Sequence, residues 1–97
     1  MNKLLLHKIL LETNKDKTMG LLMKALFTKK ELKELENRLK IFQLLLKGRT
    51  QREISEILNV GIATVTRGAN AFESESIFKI KSNIIETLKK TKFDKND

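Results

Sequence analysis

Residues 50–67 read TQREISEILNVGIATVTR, and this stretch predicts two short helices joined by a tight turn. Thr50 and Glu53 have the spacing of a capping box, which marks the start of a helix. The apolar pattern breaks near Asn59, a residue type that tolerates the positive φ such a turn needs. A second helix is predicted over residues 62–71.

The same stretch favours a helix-turn-helix over an ordinary αα-hairpin. Ser55 supplies a small side chain where the second helix crosses the first at a steep angle. The apolar residues expected to fill the space between the helices are Ile54, Leu58, Val60 and Val65. We therefore predict a helix-turn-helix at about residues 50–71, with the αα-hairpin as the alternative.

In a helix-turn-helix, the N-terminal residues of the second helix face base edges in the major groove of DNA. Those residues are Gly61, Ile62, Ala63 and Thr66. They lack the side chains that make bidentate base contacts, so contacts to thymine methyl groups are favoured. Gln51 and Arg52, at the start of the first helix, are expected to contact phosphates or a flanking base.

The composition of the chain is typical of a small basic protein of one domain. Its 97 residues carry 20 Lys and Arg against 12 Asp and Glu, which gives a net charge of +8. The absence of Cys excludes disulfides, thiolate catalysis and cysteine-based zinc sites. With His7 as the one histidine and no nucleophile–base pair, we predict neither an enzyme nor a metal site. No apolar stretch approaches the ~20 residues that span a bilayer, so a soluble cytoplasmic protein is expected.

Four further helices are predicted, which makes the chain all-α with six helices. They are residues 3–13, residues 16–26, a helix that ends at Gly48, and a last helix that Ser76 caps. Asp16 is the expected N-cap of the second of these, and Thr28 with Glu31 forms a capping box for the third. The polar tail, residues 89–97, is expected to fray.

Two apolar patterns bear on the core. In the third helix, the residues spaced to face inward are Leu32, Leu35, Leu39, Phe42 and Leu46. The first helix, residues 3–13, is apolar nearly all round and therefore needs burial against several surfaces. In so short a chain this favours helices exchanged between subunits.

Residues 61–70, GIATVTRGAN, resemble the recognition-helix signature of the bacterial tryptophan repressors. A generic helix-turn-helix shares the TVTR of residues 64–67 but not the GAN that follows, and the resemblance covers roughly residues 20–72. It implies an intertwined, all-α homodimer of six-helix subunits. It also implies a transcriptional repressor that binds palindromic operator DNA when L-tryptophan is bound as corepressor.

The resemblance also implies a set of ligand-binding residues. Arg38 and Arg67 stand at the positions whose guanidinium planes sandwich the indole, and two planar cations suit the faces of an aromatic ring. Gly68 permits close approach of the backbone to the ligand. The other implied residues are Ile41, Thr64 and Ala71 in the pocket, and Ala25, Phe27 and Thr28 from the partner subunit. From the residues alone, Arg38 also fits a helix-surface ion pair with Glu34.

The sequence departs from the family pattern in ways that keep other functions open. Ala71 replaces a serine that helps hold the amino group of the ligand, and Ser55 replaces a basic phosphate contact. One residue is missing near Thr50, and the polar arm before the first helix is almost absent. The alternatives are a DNA-binding dimer with a lost or altered, indole-type ligand, and a dimeric helical interaction module without DNA function.

Overall fold

The computed structural model describes residues 4–92, and this part of the chain contains six α-helices and no strand. The helices are α1 (Leu5–Glu12), α2 (Asp16–Leu26), α3 (Lys29–Leu46), α4 (Gln51–Leu58), α5 (Ile62–Phe72) and α6 (Glu75–Lys90). The prediction of an all-α protein is confirmed. Between residues 4 and 92, no helix is both long enough and apolar enough to cross a membrane.

Local signals in the sequence set several helix ends as predicted. Thr28 and Glu31 form a reciprocal capping box, with bonds of 2.8 and 3.1 Å between each backbone N–H and the other side chain. Thr50 and Glu53 form a second one, with bonds of 2.9 and 3.1 Å. Gly48 follows α3 with a φ of 82°, a left-handed conformation in which a Cβ atom is strained.

Two predicted N-caps are wrong. Asp16 is the first residue of α2 and not its cap, and there its carboxylate faces the positive end of the helix dipole. The cap of α6 is Ser74, two residues before the predicted Ser76. The hydroxyl of Ser74 accepts from the Ile77 N–H at 3.3 Å and donates to the Ala71 carbonyl at 2.6 Å, so it serves two helix ends at once.

The outer helices also differ from the predicted bounds. α1 covers Leu5–Glu12 and not residues 3–13, although residue 3 lies outside the described part. α6 continues to Lys90, so the predicted fraying from residue 89 does not begin there. An ion pair of 2.7 Å between Lys90 and Glu86 supports this last turn. The remainder of the predicted tail, residues 93–97, lies outside the described residues.

The chain divides into two compact units, residues 1–34 and residues 35–97. The core of the second unit is a cluster of buried side chains from three helices: Ile41, Leu44, Ile54 and Val65. Leu45, Ile57, Leu58 and Val60 pack against it and are partly buried. The predicted apolar contact between α4 and α5 is therefore confirmed, with Ile54 and Val65 fully buried.

The face of α3 that carries this core was predicted in the wrong register. Phe42 is buried as expected, but Leu35 and Leu39 keep 47% and 44% of their surface exposed. The buried face is formed instead by Ile41 and Leu44, because α4 and α5 pack on that side. α3 thus has two apolar faces. On the face that the periodicity indicated, Phe42 is buried, Leu32 and Leu46 are half-buried, and only Leu35 and Leu39 are exposed.

No residue of α1 or α2 is buried, although the sequence predicted burial of the first helix on several sides. Leu5, Leu11 and Leu21 expose 75%, 66% and 61% of their surface. A unit of 34 residues is too small to surround a helix that is apolar on more than one face. The predicted burial of the first helix is therefore not found within the described part of the chain.

Candidate nucleic-acid and ligand-binding site

The turn between α4 and α5 is closed by a side chain. Asn59 adopts the left-handed conformation, with a φ of 55°, as the sequence predicted. The Ser55 hydroxyl donates to the Val60 carbonyl at 2.6 Å, and the Val60 N–H donates to the Ser55 carbonyl at 3.1 Å. Sequence reasoning assigned Ser55 only a small size, but its hydroxyl also fixes the entry into α5.

One side of the first two turns of α5 packs on this core, and the other side is exposed. The side of the helix that carries Val65 is buried in the core. All four residues of this region that were predicted to contact DNA are exposed: Gly61, Ile62, Ala63 and Thr66. Ile62 leaves 52% of its surface open, and nothing lies within 4 Å of the Cβ position of Gly61. The N-terminal end of α5 therefore exposes apolar side chains together with a hydroxyl group.

Two of the predicted DNA-contacting residues are joined directly. The Thr66 hydroxyl donates to Oε1 of Gln51 at 2.8 Å, which links the start of α4 to the second turn of α5. Arg52 lies next to Gln51 and is also exposed. The sequence offered no signal for this bond, because the two residues are 15 positions apart and on different helices.

The positive and negative side chains of the helix pair α4–α5 are equal in number. Residues 50–72 contain two Arg and two Glu, so the helix pair itself is neutral. Arg49 and Glu53 form an exposed ion pair of 3.5 Å. The Thr50 backbone N–H, followed by the Thr50 hydroxyl, lowers the pKa of the Glu53 carboxyl, because both hydrogen bonds favour its ionised form.

We predict that the Glu53→Gln variant loses stability less steeply than the wild type in acid. A lowered pKa in the folded state stabilises the fold above the unfolded pKa, near 4.5, and this stabilisation disappears as the pH falls through the folded value. Urea unfolding at pH steps from about 6 to 3 measures the difference in slope. Glu56→Gln, the same change outside the capping box, is the matched control. Equal slopes for the wild type and Glu53→Gln would contradict the assignment.

The two arginines of the predicted ligand site lie on helices that touch each other. Arg38 is half-buried on α3, one turn before Ile41, and Arg67 is exposed on α5, immediately before Gly68. Nη2 of Arg67 donates to the Thr64 hydroxyl at 3.4 Å. Among residues 4–92, Arg38 forms no ion pair with Glu34, so the alternative interpretation of Arg38 finds no support.

At Gly68, α5 packs closely against Ile41 of α3. A Cβ atom on Gly68 would lie 2.9 Å from Cγ2 and 3.0 Å from Cδ1 of Ile41, which is itself fully buried. In the single chain, the group that approaches Gly68 is therefore a core side chain. The predicted contacts of Gly68 and Ile41 with a ligand stay predictions, as do those of the half-buried Thr64 and Ala71.

We predict that Gly68→Ala lowers the free energy of unfolding by about 1–3 kcal/mol, because the added methyl group overlaps Ile41 in a closed core. Urea unfolding at a fixed protein concentration measures this change. Adding Ile41→Val should restore part of the loss, since it removes the Cδ1 atom. A stabilised variant, as the higher helix propensity of alanine alone would give, would contradict the packing argument.

Three predicted ligand residues belong to the first unit, whereas the two arginines belong to the second. Ala25 is exposed near the end of α2, and Phe27 is half-buried directly after it. Thr28 caps α3, where its hydroxyl accepts from the Glu31 N–H. Their predicted place is a ligand site completed by a partner subunit, so they stay predictions for the single chain.

α6 is held against α3 and α5 by contacts that the sequence did not reveal. The Gln43 side chain donates to the carbonyls of Leu88 and Thr91, both at 3.0 Å, at the end of α6. The Phe42 and Phe72 rings lie 5.0 Å apart, and Lys81 is 4.5 Å from the centre of the Phe72 ring. Beside these contacts α3 and α6 enclose an open groove of about 370 Å³.

No cluster of three or more His, Asp or Glu side chains in residues 4–92 could hold a metal ion.

The net positive charge of the chain lies mainly outside the helix pair α4–α5. Residues 28–49 carry seven Lys and Arg against three Glu, so the positive excess is concentrated just before the helix pair.

The family model and the similar proteins found by comparison agree on one family. Residues 2–79 match the family described as Trp repressor protein. The Trp operon repressor homolog of Vibrio campbellii is 47% identical over 57 residues, which are 58% of this chain and 57% of that protein. The homolog of Photobacterium profundum is 41% identical over 73 residues, 74% of this chain and 67% of that protein.

A more distant Trp operon repressor homolog, from Xylella fastidiosa, is 34% identical over 74 residues, which are 75% of this chain and 80% of that protein. The chain thus spans little more than half the length of the Vibrio relatives it matches, 57% in the first case. No solved structure matches the chain.

Proposed function

The chain belongs to the Trp repressor family, and on that premise we propose that it represses transcription by binding operator DNA as a homodimer when L-tryptophan is bound. This is a family of transcriptional repressors, so the protein is not an enzyme. The observation that carries the proposal is the exposed N-terminal end of α5, which is seated on a fully buried contact through Ile54 and Val65.

In the proposed complex, the α4–α5 pair acts as a helix-turn-helix and α5 enters the major groove. Ile62 and Ala63 suit thymine methyl groups, and Thr66 offers a hydroxyl to a base edge or water. Gln51 and Arg52 lie where phosphates or a flanking base would be. Because the helix pair is neutral, the positive excess of residues 28–49 supplies the general attraction to the phosphate backbone.

The residues around the contact between α3 and α5 fit the indole of L-tryptophan. Arg38 and Arg67 bring a planar guanidinium from each helix, and neither forms an ion pair with a carboxylate among residues 4–92. The two guanidinium planes would stack on the two faces of the indole ring, beside Thr64. Bound there, L-tryptophan supplies a wedge between α5 and the rest of the dimer.

Corepressor dependence follows from where Arg67 and Gly68 lie on the chain. Both belong to the helix whose N-terminus would read DNA, so a ligand held by them fixes the orientation of that helix. Two such helices in a dimer would then be set one helical turn of DNA apart, ~34 Å. Without the ligand, conformations that do not bind DNA are more populated.

The exposed apolar residues of α1 support a dimeric state. This helix has no buried residue, and Leu5 and Leu11 are largely open. A second copy of the chain would cover this surface, and would also bring Ala25, Phe27 and Thr28 to the ligand site of its partner. We place the dimer in the bacterial cytoplasm, with DNA.

A second candidate is the same DNA-binding dimer with an altered ligand. The half-buried Ala71 has a methyl group where the family has a serine hydroxyl that holds the amino group of the ligand. Indole carboxylates without an amino group make no bond to that hydroxyl, so its absence does not weaken their binding. They would then compete with L-tryptophan more effectively here than in relatives with serine.

The test of the proposed function is selection of binding sequences from a pool of random DNA duplexes, with L-tryptophan present. The expected product is a palindrome whose half-sites are centred about 10 base pairs apart, as a two-fold symmetric dimer requires. A pool that is not enriched over repeated rounds would contradict the proposal.

A further inference from the structure

The bond between Thr66 and Gln51 joins two exposed side chains on the surface proposed to contact DNA. Oγ1 of Thr66 donates to Oε1 of Gln51 at 2.8 Å, and both residues are exposed. Gln51 is the first residue of α4, and Thr66 lies in the second turn of α5. The two residues therefore form a bridge across the outer face of the helix pair.

This bond fixes which end of the Gln51 amide is free. Because Oε1 accepts from Thr66, the Nε2 group, with its two N–H donors, points away from that partner. The nearby residues at the N-terminal end of α5 are Gly61, which is its N-cap, and Ile62 and Ala63, none of which has a side chain that donates a hydrogen bond. The free amide is then a side-chain donor beside a helix end whose own side chains offer none.

We propose that Gln51 and Thr66 act as one recognition unit, in which the Thr66 hydroxyl orients the Gln51 amide toward a hydrogen-bond acceptor on DNA. This rests on the proposed function, because the unit matters only if the surface binds DNA. Such a bond between exposed groups adds little to folding, since water competes for both partners. Its effect is on binding, because a glutamine already held in one conformation loses less freedom when it meets DNA.

A double-mutant cycle on the full chain tests the coupling, with L-tryptophan present and the duplex obtained by selection as the probe. Thr66→Val keeps the side-chain shape and removes the hydroxyl, whereas Gln51→Met keeps the length and removes the amide. Each should weaken DNA binding about tenfold, and the double variant about as much as one alone. Thr66→Ser should recover most of the affinity lost in Thr66→Val. Thr18→Val, at an exposed position of α2, is the matched control.

A charge-matched pair of variants tests the donor. Gln51→Glu keeps an acceptor for the Thr66 hydroxyl but has no N–H to donate, and it also adds a negative charge. Asn70→Asp makes the same chemical change at another exposed position of α5. A clearly larger loss of DNA affinity in Gln51→Glu supports the donor, while equal losses would attribute the effect to charge and overturn the assignment.

Two modified duplexes identify the acceptor. Methylphosphonate linkages remove the phosphate charge, and 7-deazapurines remove the N7 acceptor of purine bases. The loss caused by Gln51→Met should shrink to about twofold on the duplex that lacks the relevant acceptor. Persistence of the full loss on both would overturn a contact to a charged phosphate and a contact to a purine N7.

The outcomes separate this inference from the function it rests on. If the wild type binds the selected duplex and the two single losses multiply, to about a hundredfold in the double variant, only the coupling is wrong. If the wild type binds no duplex, the proposed function fails and the recognition unit fails with it.

Discussion

Replacing Arg67 with alanine is expected to weaken L-tryptophan binding by about thirtyfold or more, the effect of a desolvated cation–π contact of about 2 kcal/mol. The helices should remain folded, because Arg67 is exposed and its side-chain hydrogen bond to the Thr64 hydroxyl is a long 3.4 Å. Titration calorimetry measures the affinity. Urea unfolding should show a change within about 0.5 kcal/mol, the usual range for a surface site.

Two control variants narrow the interpretation of that result. Arg67→Lys retains the charge but not the planar group, so it should recover little of the affinity if stacking is the main contact. Arg52→Ala removes an exposed arginine of α4 outside the ligand site, so it should leave L-tryptophan binding intact and weaken DNA binding. A normal binding isotherm for Arg67→Ala would refute the proposed sandwich.

Ile54→Ala is expected to have the largest effect on stability, a loss of about 2–5 kcal/mol. Ile54 is fully buried, and it belongs to the cluster with Ile41, Leu44 and Val65, so truncation leaves a cavity where α3, α4 and α5 meet. Urea unfolding must be done at one protein concentration, because formation of the proposed dimer would make the apparent stability depend on concentration.

The matched control for this change is Ile62→Ala. Ile62 lies on α5 with 52% of its surface open, so the same truncation should cost no more than about 0.5 kcal/mol. It should still weaken DNA binding, because Ile62 is one of the proposed base-facing residues. Similar losses of stability in the two variants would mean that α4 is not anchored as described.

The features that the sequence predicted correctly depend on residues close together in the chain. A capping box needs Thr50 and Glu53 three positions apart, and a left-handed turn needs a tolerant residue at one position, such as Asn59. Both can be recognised without knowing which helices are neighbours. The predicted N-cap Ser76 was wrong because Ser74, two residues earlier, is an equally suitable cap, and only the turn geometry decides between them.

The features that the sequence did not reveal depend on which helices touch. Ile41 and Leu44 carry the core face of α3 because α4 and α5 pack there, whereas spacing alone indicated the other apolar face. The close approach of Gly68 to Ile41 likewise joins residues on different helices. For the candidate site, the residue types were recognisable from a family signature, but the bond between Gln51 and Thr66 was not.

A gel shift with the selected duplex, run with and without L-tryptophan at the same salt concentration, tests the corepressor role of the ligand. The predicted result is binding at least tenfold tighter with the ligand, a coupling of about 1.4 kcal/mol or more. Equal retardation in the two conditions would contradict a corepressor role for L-tryptophan, even if the protein binds DNA.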